Sequence, residues 1–127
     1  MDLKFINAES FDTNLKCSIH KNGKLGFSSS AINKLQIDNS KSVKFAQNED
    51  EKENGNLYVV IQDNITDDAF KINKAGDYYY MNTKAMFDEL GYDYRNTTII
   101  FDIVKTETKH NELPVYKLIK REVKSRK

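Results

Sequence analysis

The predicted fold of this chain is decided by two similar stretches of sequence, IHKNGKLGF at 19–27 and INKAGDYYY at 72–80. Isoleucine, lysine and glycine stand at matching positions in both stretches. The similarity continues into the segments that follow, where Leu35 corresponds to Leu90 once a short insertion in the second copy is allowed. We interpret this pattern as an internal duplication, which governs the arrangement of all the other elements.

Each copy carries the same series of secondary-structure signals, namely two strands, a helix and two more strands. Asn22-Gly23 and Ala75-Gly76 favour tight turns, because glycine and asparagine tolerate positive φ. Serine and threonine oxygens are available to cap the helices that follow, which are predicted to end near Leu35 and Leu90. The sequence therefore predicts an α+β fold. It would consist of two ββαββ pseudo-repeats that share one core, with mostly antiparallel strands and two short helices.

The chain length of 127 residues corresponds to a single domain, 1–127. The pseudo-repeats span 13–62 and 69–121, and each is too short to bury an adequate core by itself. They are therefore expected to pack together as an intramolecular dimer with a pseudo-two-fold axis.

Charge is distributed unevenly along the chain, although the net charge is only +1. Segments 1–48 and 69–127 are basic, whereas 49–68 is acidic. The last residues, 117–127, are predicted to form a basic tail. Such a tail attracts polyanions such as nucleic acid, and the alternative is a solvated terminus that aids solubility.

The composition argues against an enzyme. Two histidines, His20 and His110, and one cysteine, Cys17, leave little material for nucleophilic or metal-dependent chemistry. No phosphate-binding loop, dinucleotide fingerprint or nucleophile elbow is present. We therefore expect no catalytic residue, no metal site and no cofactor. The lone cysteine, together with the lack of a secretory leader or a long apolar run, predicts a cytoplasmic protein without a membrane partner.

Two short motifs in each copy carry a family resemblance. The first copy has GKLGFS at 23–28 and LQI at 35–37, and the second has GDYYY at 76–80 and LGY at 90–92. These motifs resemble the Gly-Arg-Val-x-Ile-Pro and Leu-Gly-Ile segments of AbrB-like, swapped-hairpin DNA-binding proteins. The resemblance implies a tandem, divergent copy of that module, which would bind DNA and regulate transcription.

The resemblance also implies a DNA-facing surface formed by strands and turns near the pseudo-two-fold axis. Lysines there would contact phosphates and position the protein without reading the base sequence. The alternative is a solvated edge, since lysines on strands also prevent aggregation. With the basic tail included, the predicted nucleic-acid-binding residues are Lys16, Lys21, Lys24, Lys71, Lys74, Lys120, Arg121 and Lys124.

The run of three tyrosines at 78–80 favours a second mode of binding. Alternate residues of a strand face opposite sides, so Tyr78 and Tyr80 share a face and Tyr79 lies on the other. Exposed rings on a sheet stack unpaired bases, which is typical of proteins that bind single strands. Tyrosines within the core, with their hydroxyls at its rim, are the alternative.

The sequence thus predicts a small, non-enzymatic nucleic-acid-binding protein. The first interpretation is an AbrB-like regulator or accessory factor that docks on phosphates through lysines. The second is a single-strand binder that uses Tyr78 and Tyr80. The third is a protein–protein interaction or assembly module of a mobile element, without a nucleic-acid role. Nucleic acid is the expected partner, duplex or single strand, and a homo-oligomer or a protein partner is also compatible with the sequence.

Overall fold

The computed structural model describes residues 1–6, 8 and 15–125. Its helices are α1 (Ser29–Leu35) and α2 (Lys84–Glu89), with a short 3₁₀ turn at Lys52–Asn54. Its strands, in chain order, are β1 (Lys16–Ile19), β2 (Leu25–Phe27), β3 (Ser42–Ala46), β4 (Leu57–Gln62), β5 (Phe70–Lys71), β6 (Asn73–Ala75), β7 (Tyr78–Met81), β8 (Thr97–His110) and β9 (Leu113–Ser125).

The turn between β1 and β2 forms because its residues satisfy the backbone locally. Gly23 adopts a φ of 86°, a conformation in which a side chain is strained. Its N–H donates to the carbonyl of His20 at 2.8 Å, and the Asn22 side chain accepts from the N–H of Lys24 at 3.1 Å. The hairpin is therefore specified by local sequence.

The helices are short, and each is attached to the first hairpin by a hydroxyl side chain. The hydroxyl of Ser28 accepts from the N–H of Ala31 at 3.2 Å, and so caps α1. The buried hydroxyl of Thr83, just before α2, instead donates to the carbonyl of Gly23 at 2.9 Å. This bond ties the second helix to the turn of the first hairpin.

The nine strands of the described residues belong to one sheet, and its neighbouring strands pair antiparallel. The long hairpin of β8 and β9 forms the centre of this sheet. It pairs with β1 on one side and with β4 on the other. The complete strand order is β5-β3-β4-β9-β8-β1-β2-β7-β6.

The two edges of the sheet meet at Ile72. β5 and β6 stand at opposite ends of the strand order, yet this single residue separates them in the chain. Ile72 is fully buried, and its N–H donates to the carbonyl of Lys41 at 3.1 Å. The sheet must therefore curl until its edges approach each other, and it forms a nearly closed barrel.

The predicted fold class, two ββαββ pseudo-repeats around a shared core, is wrong. The structure is mostly antiparallel sheet, with 44% strand and 15% helix, in one barrel. Strands from the two supposed halves are interleaved in pairs around it, because β1 pairs with β8, β2 with β7 and β4 with β9. The repeated motifs specify similar turns, but strand pairing depends on long-range packing that a local repeat does not encode.

The core lies inside the curled sheet. Phe87 of α2 contributes to it, with its ring stacked on that of Phe101 at a centroid distance of 6.3 Å. Among the described residues, no helix is both long and apolar enough to cross a membrane. The core side chains contributed by strands include Cys17, Ile19, Leu25, Val43, Leu57, Met81, Phe101, Ile103 and Leu118.

Candidate functional site

Strand register shows which side chains of β2 and β7 face outward. Leu25 lies opposite Met81, and both are fully buried, so they point into the barrel. Gly26 lies opposite Tyr80, and these two therefore point outward, because side chains alternate along a strand. Tyr78 shares the outer face with Tyr80.

Three aromatic rings and a lysine meet on this outer face. The rings of Tyr78 and Tyr80 are stacked, with centroids 5.6 Å apart and planes inclined by 15°. The ring of His20 contacts Tyr78 edge-on at 5.5 Å, and the ammonium group of Lys24 lies 4.7 Å from the centroid of Tyr80. We call this group, together with Gly26, the tyrosine face.

Gly26 makes the close packing of the tyrosine face possible. A Cβ at this position would collide with the hydroxyl of Tyr78 and would lie 2.7 Å from Nε2 of His20. A glycine inside a strand commonly marks such a close approach. Because Gly26 has no side chain, the Tyr78 hydroxyl oxygen and Nε2 of His20 can both lie close above the strand.

The hydroxyl of Tyr78 is buried, and it has no hydrogen-bond partner among the described residues. Leaving a buried polar group unpaired costs roughly 1–3 kcal/mol. Burial, and then the proximity of Tyr80, raises the pKa of Tyr78, so the hydroxyl keeps its proton at neutral pH. It is therefore a hydrogen-bond donor.

Two predicted phosphate ligands, Lys16 and Arg121, are instead bound to one carboxylate. The ammonium of Lys16 lies 2.7 Å from Oδ1 of Asp102, and Nε of Arg121 contacts Oδ2. The Asp102 side chain is only 3% exposed. Burial opposes its ionisation, but the two hydrogen bonds outweigh it and hold the pKa of Asp102 below its usual value.

The remaining predicted lysines are spread over several elements. Lys21 is exposed in the turn after β1, and Lys71 lies in edge strand β5. The ammonium of Lys74, in β6, lies 5.9 Å from the ring centroid of Tyr79, and Tyr79 packs toward the core. The ammonium of Lys120 bonds to Glu122 at 2.9 Å.

Lys124 lies in β9, and its side chain is outside the described residues. The predicted basic tail, 117–127, is described as far as residue 125. That part belongs to β9, which pairs with β4 and β8. The structure thus brings Lys24, Tyr78 and Tyr80 together, but it does not gather all eight predicted cations on one surface.

Three residues were not predicted from the sequence as site residues: His20 and Gly26 of the tyrosine face, and Asp102, which binds two of the predicted cations. Gly26 carried a usable signal, because a glycine between two apolar residues of a predicted strand indicates a close approach. For Asp102 there was no local signal, since its cations come from β1 and β9.

A second tyrosine and lysine lie together elsewhere on the outer surface. Tyr58 of β4 lies opposite Lys117 of β9, whose ammonium is 5.7 Å from the tyrosine ring. Here the Glu51 carboxylate binds both of these side chains. It accepts from the Tyr58 hydroxyl at 2.9 Å and lies 3.4 Å from the Lys117 ammonium. We call these three residues the Tyr58 site.

Within the described ranges, no cluster of three or more His, Cys, Asp and Glu side chains could hold a metal ion. Cys17 is buried, and burial, followed by the charge of Asp102, raises the pKa of its thiol. A thiol in that state is a poor nucleophile.

Comparisons with known proteins give no relative: no family model, no curated protein and no solved structure matches the chain.

Proposed function

We propose that this protein binds single-stranded nucleic acid on the tyrosine face. The observation that supports the proposal is the outward Tyr78–Tyr80 stack with the ammonium of Lys24 above it. Rings displayed on a sheet stack with bases of any sequence, each contributing about 1–3 kcal/mol. The nearby ammonium supplies the charge that a phosphate backbone requires.

The pairing of the cations favours this mode over phosphate docking on a duplex. A duplex-binding surface needs many available cations, but Lys16 and Arg121 share Asp102, and Lys120 is paired with Glu122. Among the described residues, Lys24 has no carboxylate partner. The AbrB-like, duplex-binding interpretation stays a prediction.

Fluorescence anisotropy tests the proposal. The probes are a labelled oligothymidine of about 12 nucleotides, which falls within the usual site size, and a labelled duplex of equal length. We expect the single strand to bind more tightly. With about three phosphates neutralised, its affinity should fall on the order of tenfold between roughly 50 and 200 mM salt.

Two outcomes would contradict the proposal. Tighter binding of the duplex would favour docking on phosphates, as in the AbrB-like interpretation. If neither probe binds at micromolar protein, the protein has no general nucleic-acid affinity, and a role in protein assembly becomes the better interpretation.

A further inference from the structure

We propose that the hydroxyl of Tyr78 is reserved for a phosphate oxygen of the bound strand, an inference that rests on the proposed function. The hydroxyl is a buried donor without a described partner, on a ring that belongs to the tyrosine face. Buried donors are nearly always paired in folded proteins, and an exception requires an explanation. A ligand atom that completes the bond is such an explanation.

The surroundings hold the hydroxyl in one place. The Tyr78 ring is stacked with that of Tyr80 and makes a T-shaped contact with the ring of His20. Gly26 provides the space below it, since any Cβ there would collide with the hydroxyl. The packing of the ring therefore fixes the position of the hydroxyl oxygen, which has no partner among the described residues.

His20 lies beside the hydroxyl, where a movement of its ring would open access for a ligand. Its Nε2 converges with the Tyr78 hydroxyl above Gly26, and its side chain is exposed. Rotation of an exposed side chain at an interface is common on binding. A change in the His20 rotamer would uncover the hydroxyl.

The local charge favours an anionic acceptor over a neutral one. The backbone N–H of His20 donates to the carbonyl of Lys24 at 2.8 Å, which places the two residues side by side in the hairpin. The ammonium of Lys24 lies over the neighbouring Tyr80 ring. Asp102 lies on β8, beyond β1 and β2 from Tyr78, and is already bound by two cations, whereas Asp77 is exposed in the turn before Tyr78. A phosphate oxygen fits this environment, because hydrogen bonds to charged acceptors are the stronger ones.

The variant Tyr78→Phe tests the inference, because it removes the hydroxyl and keeps the ring. We expect its affinity for the oligothymidine to fall about tenfold. We also expect its melting temperature to rise, since the unpaired buried donor is gone. A merely structural role for the hydroxyl would leave the affinity unchanged.

Tyr58→Phe is the matched control. It also removes one tyrosine hydroxyl, but that hydroxyl is bonded to Glu51. We expect its melting temperature to fall or stay constant and its affinity to match the wild type. Equal loss of affinity in both variants would overturn the inference.

An oligomer of abasic sugar-phosphate units identifies the acceptor, because it keeps the phosphates and lacks the bases. The Tyr78→Phe variant should weaken its binding by the same factor as for the oligothymidine. A loss seen only with the oligothymidine would overturn the assignment to phosphate.

The two proposals fail in different ways. If the wild type does not bind the oligothymidine, the proposed function is wrong. If the wild type binds it and Tyr78→Phe binds equally well, only the role of the hydroxyl is wrong.

Discussion

The tyrosine face and the Tyr58 site use the same two residue types, and they differ in one carboxylate. In both, a tyrosine on an outward strand position lies below a lysine ammonium. Glu51 binds the hydroxyl and the ammonium at the Tyr58 site. At the tyrosine face the lysine lies over Tyr80, and the unpaired hydroxyl belongs to the neighbouring Tyr78. Among the described residues, neither that hydroxyl nor the Lys24 ammonium has a carboxylate partner.

This difference separates a structural contact from a binding surface. A saturated Tyr–Lys–Glu group gains nothing from a ligand, because its donors and charges are already paired. The buried Tyr78 hydroxyl, which has no partner among the described residues, is costly in the free protein and would gain a partner on binding. Lys24 is partly exposed to solvent, and its ammonium has no carboxylate partner among the same residues, so it is available to a phosphate. The comparison therefore predicts that a nucleic-acid strand binds where no protein carboxylate pairs with the tyrosine and the lysine. It does not bind where Glu51 already pairs with both.

The largest effect is expected when negative charge is added beside the tyrosine face. Lys21→Glu combined with Lys24→Glu reverses the charge of the exposed Lys21 and of the half-buried Lys24. We expect the affinity for oligothymidine to fall on the order of a hundredfold at about 50 mM salt, and by less as salt rises. Anisotropy titrations at several salt concentrations measure this loss.

The matched control makes the same charge change elsewhere. Lys105→Glu with Lys109→Glu alters two exposed lysines of β8. An equal loss in this control would show that total charge, and not the tyrosine face, governs binding.

A smaller effect is expected from Asp102→Asn, which releases Lys16 and Arg121 on the outer face. Loss of the two charged hydrogen bonds should lower the free energy of unfolding by about 1–2 kcal/mol, a figure reduced because both cations are partly exposed. The affinity for oligothymidine should rise, since two cations become available. Chemical denaturation and anisotropy measure the two effects. A stable variant with wild-type affinity would contradict this interpretation of the ion pairs.

The same carboxylate predicts how stability depends on pH. Bonds from Lys16 and Arg121 keep the pKa of Asp102 lower in the folded state than the usual 3.8, despite burial. Its contribution to stability is therefore complete above that usual value, and it is lost as the pH falls through the lowered one. Melting temperatures should fall in acid less steeply for Asp102→Asn than for the wild type. Parallel curves would contradict the prediction.

The smallest effect is expected from opening the Tyr58 site with Glu51→Gln. This change frees Lys117 and leaves an amide beside Tyr58, so we expect a two- to threefold gain in affinity, on the order of a single weak phosphate contact. Anisotropy measures the gain. Glu53→Gln, at an exposed neighbouring position, makes the same charge change. If both variants gain equally, Glu51 has no particular role.

Local features of the fold were predictable from the sequence, and long-range features were not. Asn22-Gly23 specifies its own turn through glycine's positive φ and local hydrogen bonds. Ile72 looked like one position of a repeat, but it joins the two edges of the barrel. Its role depends on β3 and β7, which lie far from each other in the chain, so no local pattern encodes it.

For the candidate site, too, local features were predictable from the sequence and long-range pairings were not. Alternation along a strand predicts that Tyr78 and Tyr80 share a face, which requires only neighbouring residues. The pairing of Lys16 and Arg121 with Asp102 joins three strands, and from sequence these two cations looked as available as Lys24. Burial and register decide which charges remain unpaired, and both follow from the tertiary fold.

The most direct test of the central claim compares Tyr80→Leu with Tyr58→Leu in one anisotropy titration of oligothymidine. Circular dichroism would first establish that both variants are folded. Removing one stacking ring should cost about 1–3 kcal/mol of binding, so Tyr80→Leu should lose roughly tenfold or more in affinity. Tyr58→Leu should bind as the wild type does. Equal affinities for the two variants would contradict the account, because the tyrosine face would then be no more a binding surface than the Tyr58 site.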